Sequence, residues 1–323
     1  MRNATQKLTY LQAINEAQRE EMRRDERVMM IGEDIAVYGA QTLFDEFDEK
    51  RLRNAPISEG SFTGVAIGAA LTGLRPIVDL TNASFIYLAS DQIINQAAKL
   101  RFMTGGQLKV PVVIRACSYY GNGTAAQHAD RPWPFFMNVP GLKVVAPATA
   151  TDAKGLLKSA IRDDDPVLMF EEINLWGKRE EVPTDEDFLI PIGQADIKRA
   201  GGDVTIVSIA GCLHAALAAA DTLAKEGIAA EVVDLRTLVP FDREAVLASV
   251  AKTGRLVIVD NSHKMGSVSS EIAAVVAEEG FDSLRKPIQR VATPSIHIPY
   301  NRILEKQLYP TKERIADAVR AIL

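Results

Sequence analysis

The chain has 323 residues, of which 47% are hydrophobic and 24% are charged, and its formal net charge at pH 7 is −5. This length suits two hydrophobic cores, and the composition is that of a globular protein. The acidic balance argues against a nucleic-acid partner. Apolar stretches such as 65–74 are too short for the ~20 residues that a membrane span needs.

The first part of the chain alternates short β-branched runs with helical stretches. The mixed-sign run 19–27 is typical of a solvated helix face. Strands are predicted at 28–31, 76–80, 110–116, 143–146 and 167–170, and helices at 61–73, 90–103 and 151–162. Continuous apolar strands that alternate with helices predict a parallel sheet covered on both faces.

A charged stretch without sustained periodicity separates this pattern from a second α/β alternation. The later strands are predicted at 204–209, 230–233, 256–260 and 289–292, and the later helices at 213–225, 243–252, 268–279 and 312–322. We therefore predict one domain at 5–177, a linker at 178–200 and a second domain at 201–323. The expected fold class is α/β, with two three-layer α/β sandwich domains.

The N-terminus and the cysteines indicate the compartment. Residues 1–24 lack the apolar core of a signal peptide and are too acidic for a transit peptide, so we expect a cytoplasmic protein. Cys117 and Cys212 lie far apart, without the spacing of a zinc site, and each is expected to be a buried thiol.

Several acids follow predicted strands or begin predicted helices. Glu59 precedes a helix rich in small residues, where it could simply favour the helix dipole by ~0.3–1 kcal/mol. Glu33 and Asp91 occupy comparable places, and α/β sheets bind ligands at the carboxyl ends of their strands. His128 lies in a long glycine- and proline-containing loop of the kind that is often functional.

The small residues after Glu59 do not form a nucleotide loop. The Gly64–Gly68 spacing favours close helix approach at an interface, and neither a GxGxxG turn after a strand nor a Walker loop is present. The nicotinamide-dehydrogenase and ATPase classes therefore lack their phosphate-binding element.

Taken together, these segments resemble the beta subunits of thiamine-diphosphate-dependent 2-oxo acid and acetoin dehydrogenases. The resemblance implies a transketolase-like pyrimidine-binding domain, then a transketolase C-terminal domain, in an α2β2 heterotetramer. The matching segments are 31–34, 56–59, 84–87, 91–93, 95–99, 105–106, 110–112, 126–128, 140–145 and 152–163.

The resemblance also implies roles for single residues. Glu59 would hydrogen-bond the aminopyrimidine ring nitrogen of thiamine diphosphate, Phe85 would pack on that ring, and Ile57 would line the same pocket. Glu33 and Asp91 would belong to an acidic, water-filled tunnel that links two such cofactor sites.

Two further sites follow from the same resemblance. His128 would assist acyl transfer to the lipoyl-lysine of a lipoyl acyltransferase partner. A potassium ion would bind near the backbone carbonyls of Val112, Ala160, Ile161, Asp163 and Asp165, although an acidic turn after a helix explains the last four nearly as well.

Magnesium would be held elsewhere. The family clamps the cofactor's diphosphate through magnesium with a Gly-Asp-Gly motif, which this chain lacks, so an alpha subunit must supply it. The active site is thus expected to be shared between two chains.

The substrate and two other classes of function stay open. Residues 129–133, 262–264 and 293–297 depart from the family pattern. These departures leave open the roles of His263 and His297. They also leave open whether the substrate is pyruvate, a branched 2-oxo acid or acetoin. The alternatives are a half-chain transketolase or 1-deoxyxylulose-5-phosphate synthase type enzyme, and a non-catalytic assembly subunit.

Overall fold

A computed structural model describes residues 4–37 and 40–323 of the chain. The chain forms two compact units. The first runs from the N-terminus to Tyr120 and from Gln127 to Ile192, and the second comprises Gly121–Ala126 and Gly193–Leu323. Within the described residues, no helix has the length and apolar character needed to cross a membrane.

The first unit is built on a parallel sheet. A 3-10 helix at Ala83–Ala89 and a π-helix at Gln92–Ala97 precede its third α-helix. The elements in chain order are β1 (Thr5–Thr9), α1 (Tyr10–Arg24), β2 (Val28–Glu33), β3 (Leu52–Ala55), α2 (Glu59–Leu71), β4 (Arg75–Asn82), α3 (Ala98–Met103), β5 (Val113–Ser118), α4 (Ala125–His128), α5 (Trp133–Met137), β6 (Lys143–Val145), α6 (Ala150–Arg162), β7 (Val167–Glu172) and β8 (Arg179–Pro183).

Six strands of the first unit lie in the order β6-β7-β5-β4-β2-β3, and each adjacent pair is parallel. Met30, Ile77 and Met169 point to the face covered by α1 and α6 and join its core. Their neighbours Ile31 and Val78 point to the opposite face, which is also buried. The predicted parallel sheet is therefore confirmed.

The second unit repeats this architecture with a smaller sheet. Its strands lie in the order β14-β13-β10-β11-β9, parallel except for β9, which pairs antiparallel with β11. Its elements are β9 (Asp196–Arg199), β10 (Val204–Ser208), α7 (Cys212–Ala224), β11 (Ala230–Asp234), β12 (Thr237–Val239), α8 (Arg243–Thr253), β13 (Leu256–His263), α9 (Val268–Glu279), β14 (Gln289–Thr293), α10 (Arg302–Lys306) and α11 (Lys312–Arg320).

The segment 178–200 contains more regular structure than we expected of a linker. β8 pairs antiparallel with β1, and β9 pairs with β11, so the segment holds one strand of each unit. Both strands are short and charged, which is common at sheet edges and hides the alternating pattern that identifies a strand. The predicted domain limits remain a prediction.

The prediction of a solvated helix face over residues 19–27 is wrong for two of its acids. Glu20 and Glu21 are buried on α1, where Glu21 pairs with Arg162 at 2.7 Å. The prediction fails because charged residues can be buried when opposite charges from another helix compensate them. The required partners lie on α6, more than 130 residues further along the chain.

Glu20 is the centre of a buried ion cluster that joins α1 to α6. Its two carboxylate oxygens accept hydrogen bonds from Lys154 Nζ at 2.6 Å and Lys158 Nζ at 2.5 Å, and both lysines are buried. The lysines also donate to the carbonyl oxygens of Pro183 and Glu186. The Glu20 carboxylate thus neutralises part of the charge of the two lysines. The lysines in turn hold the end of β8 and the chain that follows it.

Replacing Glu20 by alanine should destabilise the protein strongly, because two ammonium groups would remain buried without their anion. We expect the free energy of unfolding to fall by about 3–5 kcal/mol. Urea unfolding of the purified chain measures the change. Glu26→Ala, on an exposed acid six residues away, is the matched control and should change it by less than about 0.5 kcal/mol. Equal effects of the two substitutions would contradict the cluster's role.

Candidate active site

The carboxyl ends of the parallel strands in the first unit carry polar side chains. β2 ends at Glu33, β4 at Asn82, β5 at Ser118 and β7 at Glu172, and all four side chains are buried. Because the strands are parallel, these ends lie along one edge of the sheet, where α/β proteins bind their ligands. This edge is the candidate active site.

Glu33 is a buried acid of this edge with a raised pKa. It is 3% exposed, and its Oε2 has no hydrogen-bond partner. Burial, together with the nearby charges of Glu59, Asp34 and Asp79, raises the pKa of Glu33 to about 7. Glu33 therefore retains a proton close to neutral pH and can donate or accept it.

Glu59 begins helix α2 and is 5% exposed, so the carboxylate predicted to be central is enclosed by its own chain. Its charge acts on Glu33, which places the two acids in one electrostatic unit. The positive end of the α2 dipole favours an anion at this position. The structure thus brings two of the predicted site residues together.

Phe85 and His128 also come together. Their rings meet edge to face, with centroids 5.5 Å apart and an interplanar angle of 78°. Asn82 connects the two segments, since its Oδ1 accepts a hydrogen bond from Ser84 N at 2.8 Å and its Nδ2 donates to the His128 carbonyl at 3.2 Å. The His128 side chain is exposed and available to a reactant.

Ile57 and Asp91 lie on the surface of this chain. Ile57 is 79% exposed, although Glu59, two residues later, is buried. Asp91 is exposed, and its carboxylate accepts hydrogen bonds from Asn95 Nδ2 at 2.7 Å and Gln92 Nε2 at 3.4 Å. Their predicted roles at the cofactor remain predictions.

Glycines allow α2 to approach the segment that carries Phe85. A Cβ atom at Gly60 would lie 3.1 Å from the Leu88 carbonyl oxygen, and one at Gly64 would lie 3.1 Å from Gln92 Oε1. A Cβ atom at Gly68 would have no neighbouring atom within 4 Å outside the helix's own backbone. Of the two glycines expected at a close approach, Gly64 makes one within the chain, and the expected interface at Gly68 stays a prediction.

The predicted potassium position already contains a cationic side chain. Arg75 donates to the Ile161 carbonyl oxygen at 2.7 Å and also to the Asp163 carbonyl oxygen. The Val112 carbonyl accepts from Val167 N at 3.0 Å, and the Ala160 carbonyl accepts from Asp163 N at 3.2 Å. Each carbonyl oxygen keeps a second lone pair.

The nearby carboxylates are also paired. Asp163 accepts a hydrogen bond from Lys143 Nζ at 2.6 Å, and Asp165 pairs with Lys143 and Arg101. A potassium ion would have to share its oxygen ligands with three basic side chains. Potassium binding at this turn stays a prediction.

A buried ion cluster that the sequence pattern did not predict joins β4, β5 and β7. Arg115 contacts Glu171 at 2.7 Å and Asp79 at 3.3 Å, and burial raises the pKa of Glu171. Asp79 Oδ1 accepts a hydrogen bond from Thr81 N at 2.9 Å, and Thr81 Oγ1 donates to the Glu33 carbonyl at 3.1 Å. The available signal was a charged residue within or directly after each of three apolar strand runs.

The chain matches the descriptions of two known domain families. Residues 6–176 match the family described as transketolase, pyrimidine binding domain, and residues 193–315 match the transketolase, C-terminal domain. A solved structure described as a split gene transketolase, inactive beta4 tetramer, superposes with a TM-score of 0.82 at 25% identity and covers 98% of both chains. The predicted fold class is confirmed.

Relatives that match nearly the whole of this chain identify a narrower family within the transketolase-like proteins. The 2-oxoisovalerate dehydrogenase subunit beta of Bacillus subtilis is 43% identical over 98% of this chain and 98% of its own. An acetoin:2,6-dichlorophenolindophenol oxidoreductase subunit beta of Cupriavidus necator is 45% identical over 97% of each chain. The pyruvate dehydrogenase E1 component subunit beta of Rhizobium meliloti is 45% identical over 98% of this chain and 70% of its own. The chain therefore belongs to the transketolase-like family of 2-oxo acid and acetoin dehydrogenase beta subunits.

Proposed function

We propose that this chain is the beta subunit of a thiamine-diphosphate-dependent dehydrogenase component that oxidatively decarboxylates a 2-oxo acid. In this proposal an alpha subunit completes an α2β2 assembly, and the acyl group passes to the lipoyl-lysine of an acyltransferase. The observation that carries the proposal is the buried pair Glu59 and Glu33 at the carboxyl edge of a pyrimidine-binding domain.

The residues present fit the pyrimidine end of the cofactor. Glu33 has a buried oxygen without a partner, which a polar ring could satisfy directly or through water. Glu59 supplies a second carboxyl group for a ring nitrogen, and the half-buried Phe85 offers an aromatic face or edge. Bound thiamine diphosphate would supply the carbanion-stabilising chemistry that decarboxylation requires.

The protein's own contribution is to hold and move protons at two buried carboxyl groups. A carboxyl group with a pKa near the working pH is the best compromise between proton donor and acceptor, and Glu33 meets that condition. Magnesium, which would bind the diphosphate, is assigned to the alpha subunit because this chain lacks the Gly-Asp-Gly motif.

A second candidate reaction is cleavage of acetoin. The acetoin oxidoreductase subunit of Cupriavidus necator is as similar to this chain as the pyruvate dehydrogenase subunit of Rhizobium meliloti, at 45% identity. Both reactions would use the same pair of acids. A panel of pyruvate, branched 2-oxo acids and acetoin, tested on the reconstituted alpha–beta assembly with an artificial electron acceptor, separates them.

Glu59→Gln should abolish most of the decarboxylase activity, because an amide cannot exchange a proton with the cofactor ring. We expect kcat with the artificial acceptor to fall by about 10²–10⁴-fold while the assembly still forms. Glu49→Gln, on an exposed acid of the same unit, is the matched control and should keep full activity. Intact activity in Glu59→Gln would refute the proposed role.

Glu33 should make the protein less stable as the pH rises. Its folded pKa of about 7 exceeds the ordinary value of 4.5, so the folded chain keeps a proton that the unfolded chain releases. Stability is therefore lost between pH 4.5 and 7. Glu33→Gln, which stays neutral, should remove up to about 3 kcal/mol of this decline. Urea unfolding at pH 5 and pH 8 measures it, and an unchanged pH dependence would contradict the assignment.

His128→Ala should separate the two half-reactions. The imidazole is exposed beside Phe85 and is proposed to act on the acyl group at transfer, so reduction of an artificial acceptor should change less than about 3-fold. Transfer to a lipoyl domain should fall about 10²-fold. Loss of both activities to the same extent would place His128 in decarboxylation instead.

A further inference from the structure

The segment Gly121–Ala126 is fixed by a buried acid in the second unit. Although this segment lies between two stretches of the first unit, it packs with the second. Glu305 of α10 is fully buried, and its carboxylate accepts hydrogen bonds from Gly121 N at 2.6 Å and Gly123 N at 2.9 Å. Tyr309 donates its hydroxyl to the same carboxylate at 2.8 Å. The buried Glu305 carboxylate thus holds the segment in one backbone conformation, in which Gly121 N and Gly123 N both point at it.

That conformation is one that few residues adopt. Gly121 and Gly123 have φ values of +78° and +70°, in the left-handed region where a side chain is strained. Ala125 adopts φ of +60° without being glycine, and such a residue persists only where its surroundings impose it. A Cβ atom at Gly123 would lie 3.0 Å from Arg302 Cγ and 3.3 Å from the Tyr300 carbonyl oxygen. Hydrogen bonds and close contacts from the second unit therefore fix the backbone conformation of the segment.

The chain runs directly from this segment into the exposed histidine of the candidate site. α4 begins at Ala125 and ends at His128. The exposed His128 imidazole contacts the Phe85 ring edge to face, and its position otherwise depends on the backbone that carries it. The backbone is held after His128 by Asn82, through the His128 carbonyl, and before it by Glu305, through Gly121 and Gly123.

We propose that Glu305 is a positioning residue for acyl transfer: its contacts with Gly121 N and Gly123 N fix the backbone that presents His128. The inference rests on the proposed function, and specifically on the role of His128. Glu305 does not touch the reactants. Its carboxylate is suited to this task because its two oxygens accept from Gly121 N and Gly123 N at once, whereas an amide would point its NH2 group at one of them.

A purely structural role for Glu305 would have a different signature. If Glu305 only stabilised the second unit, its loss would lower all activities together or lower only the melting temperature. If it positions His128, its loss should impair the step that needs the imidazole and spare the step that does not.

The test uses Glu305→Gln in the reconstituted alpha–beta assembly with thiamine diphosphate. We expect acyl transfer to a lipoyl domain to fall about 10-fold or more, because small misplacements of a reacting group have effects of this size. Reduction of an artificial acceptor should stay within about 2-fold of the unmodified assembly. Glu278→Gln, on an exposed acid of α9, is the matched control and should change neither rate.

Hydrogen exchange of the assembly without cofactor provides a readout that does not depend on activity. In Glu305→Gln, the amides of 121–128 should exchange faster than in the unmodified assembly, with the rest of the second unit unchanged. Gly123→Ala, which meets Arg302, should reproduce both effects and serves if Glu305→Gln fails to assemble.

Three results would overturn the proposal: unchanged acyl transfer, an equal fall in both rates, or unchanged exchange of 121–128. Failure of the proposed function looks different, because the unmodified assembly would then show no cofactor-dependent activity at all. In that case the exchange measurement alone would still decide whether Glu305 fixes the segment.

Discussion

Parallel pairing of β2, β4, β5 and β7 places four polar strand ends on one edge of a sheet that is otherwise apolar. Burying a carboxyl group there costs free energy unless a partner compensates it. Glu33 bears that cost, since its Oε2 has no partner and its pKa is raised to about 7. The apolar faces of the sheet, which helices cover, supply the stability that offsets this free-energy cost. The position, the protonation and the proposed chemistry of Glu33 all depend on this arrangement.

Three other buried acids among the described residues differ from Glu33, because each has a pairing partner. Glu20 binds two lysines, Glu171 binds Arg115, and Glu305 binds two backbone N–H groups and a tyrosine hydroxyl. Paired acids fix one element against another. An unpaired buried acid with a shifted pKa, by contrast, is typical of a site that awaits a ligand. This contrast identifies the candidate site independently of any relative.

The proposed shared site also explains an uneven distribution of exposure. Glu59 is 5% exposed, whereas Ile57, two residues earlier, is 79% exposed, as expected for a pocket to which another chain contributes a wall. His128 is exposed in the same way, beside a half-buried Phe85. A dehydrogenase beta subunit that receives its cofactor between two chains would present these groups at the junction.

The sequence by itself determined the alternation of strands and helices, because apolar runs and helical periodicity are local properties of the chain. It also indicated Glu33 and Glu59, because acids that follow strands in an α/β protein meet at the carboxyl edge of its sheet. Local pattern could not reveal that Glu20 and Glu21 are buried, since their compensating charges lie on α6. It could not separate Asp91, which is exposed, from Glu33, which is buried. Only tertiary packing decided the state of each charge, because desolvation and pairing depend on groups that are distant in sequence and adjacent in space.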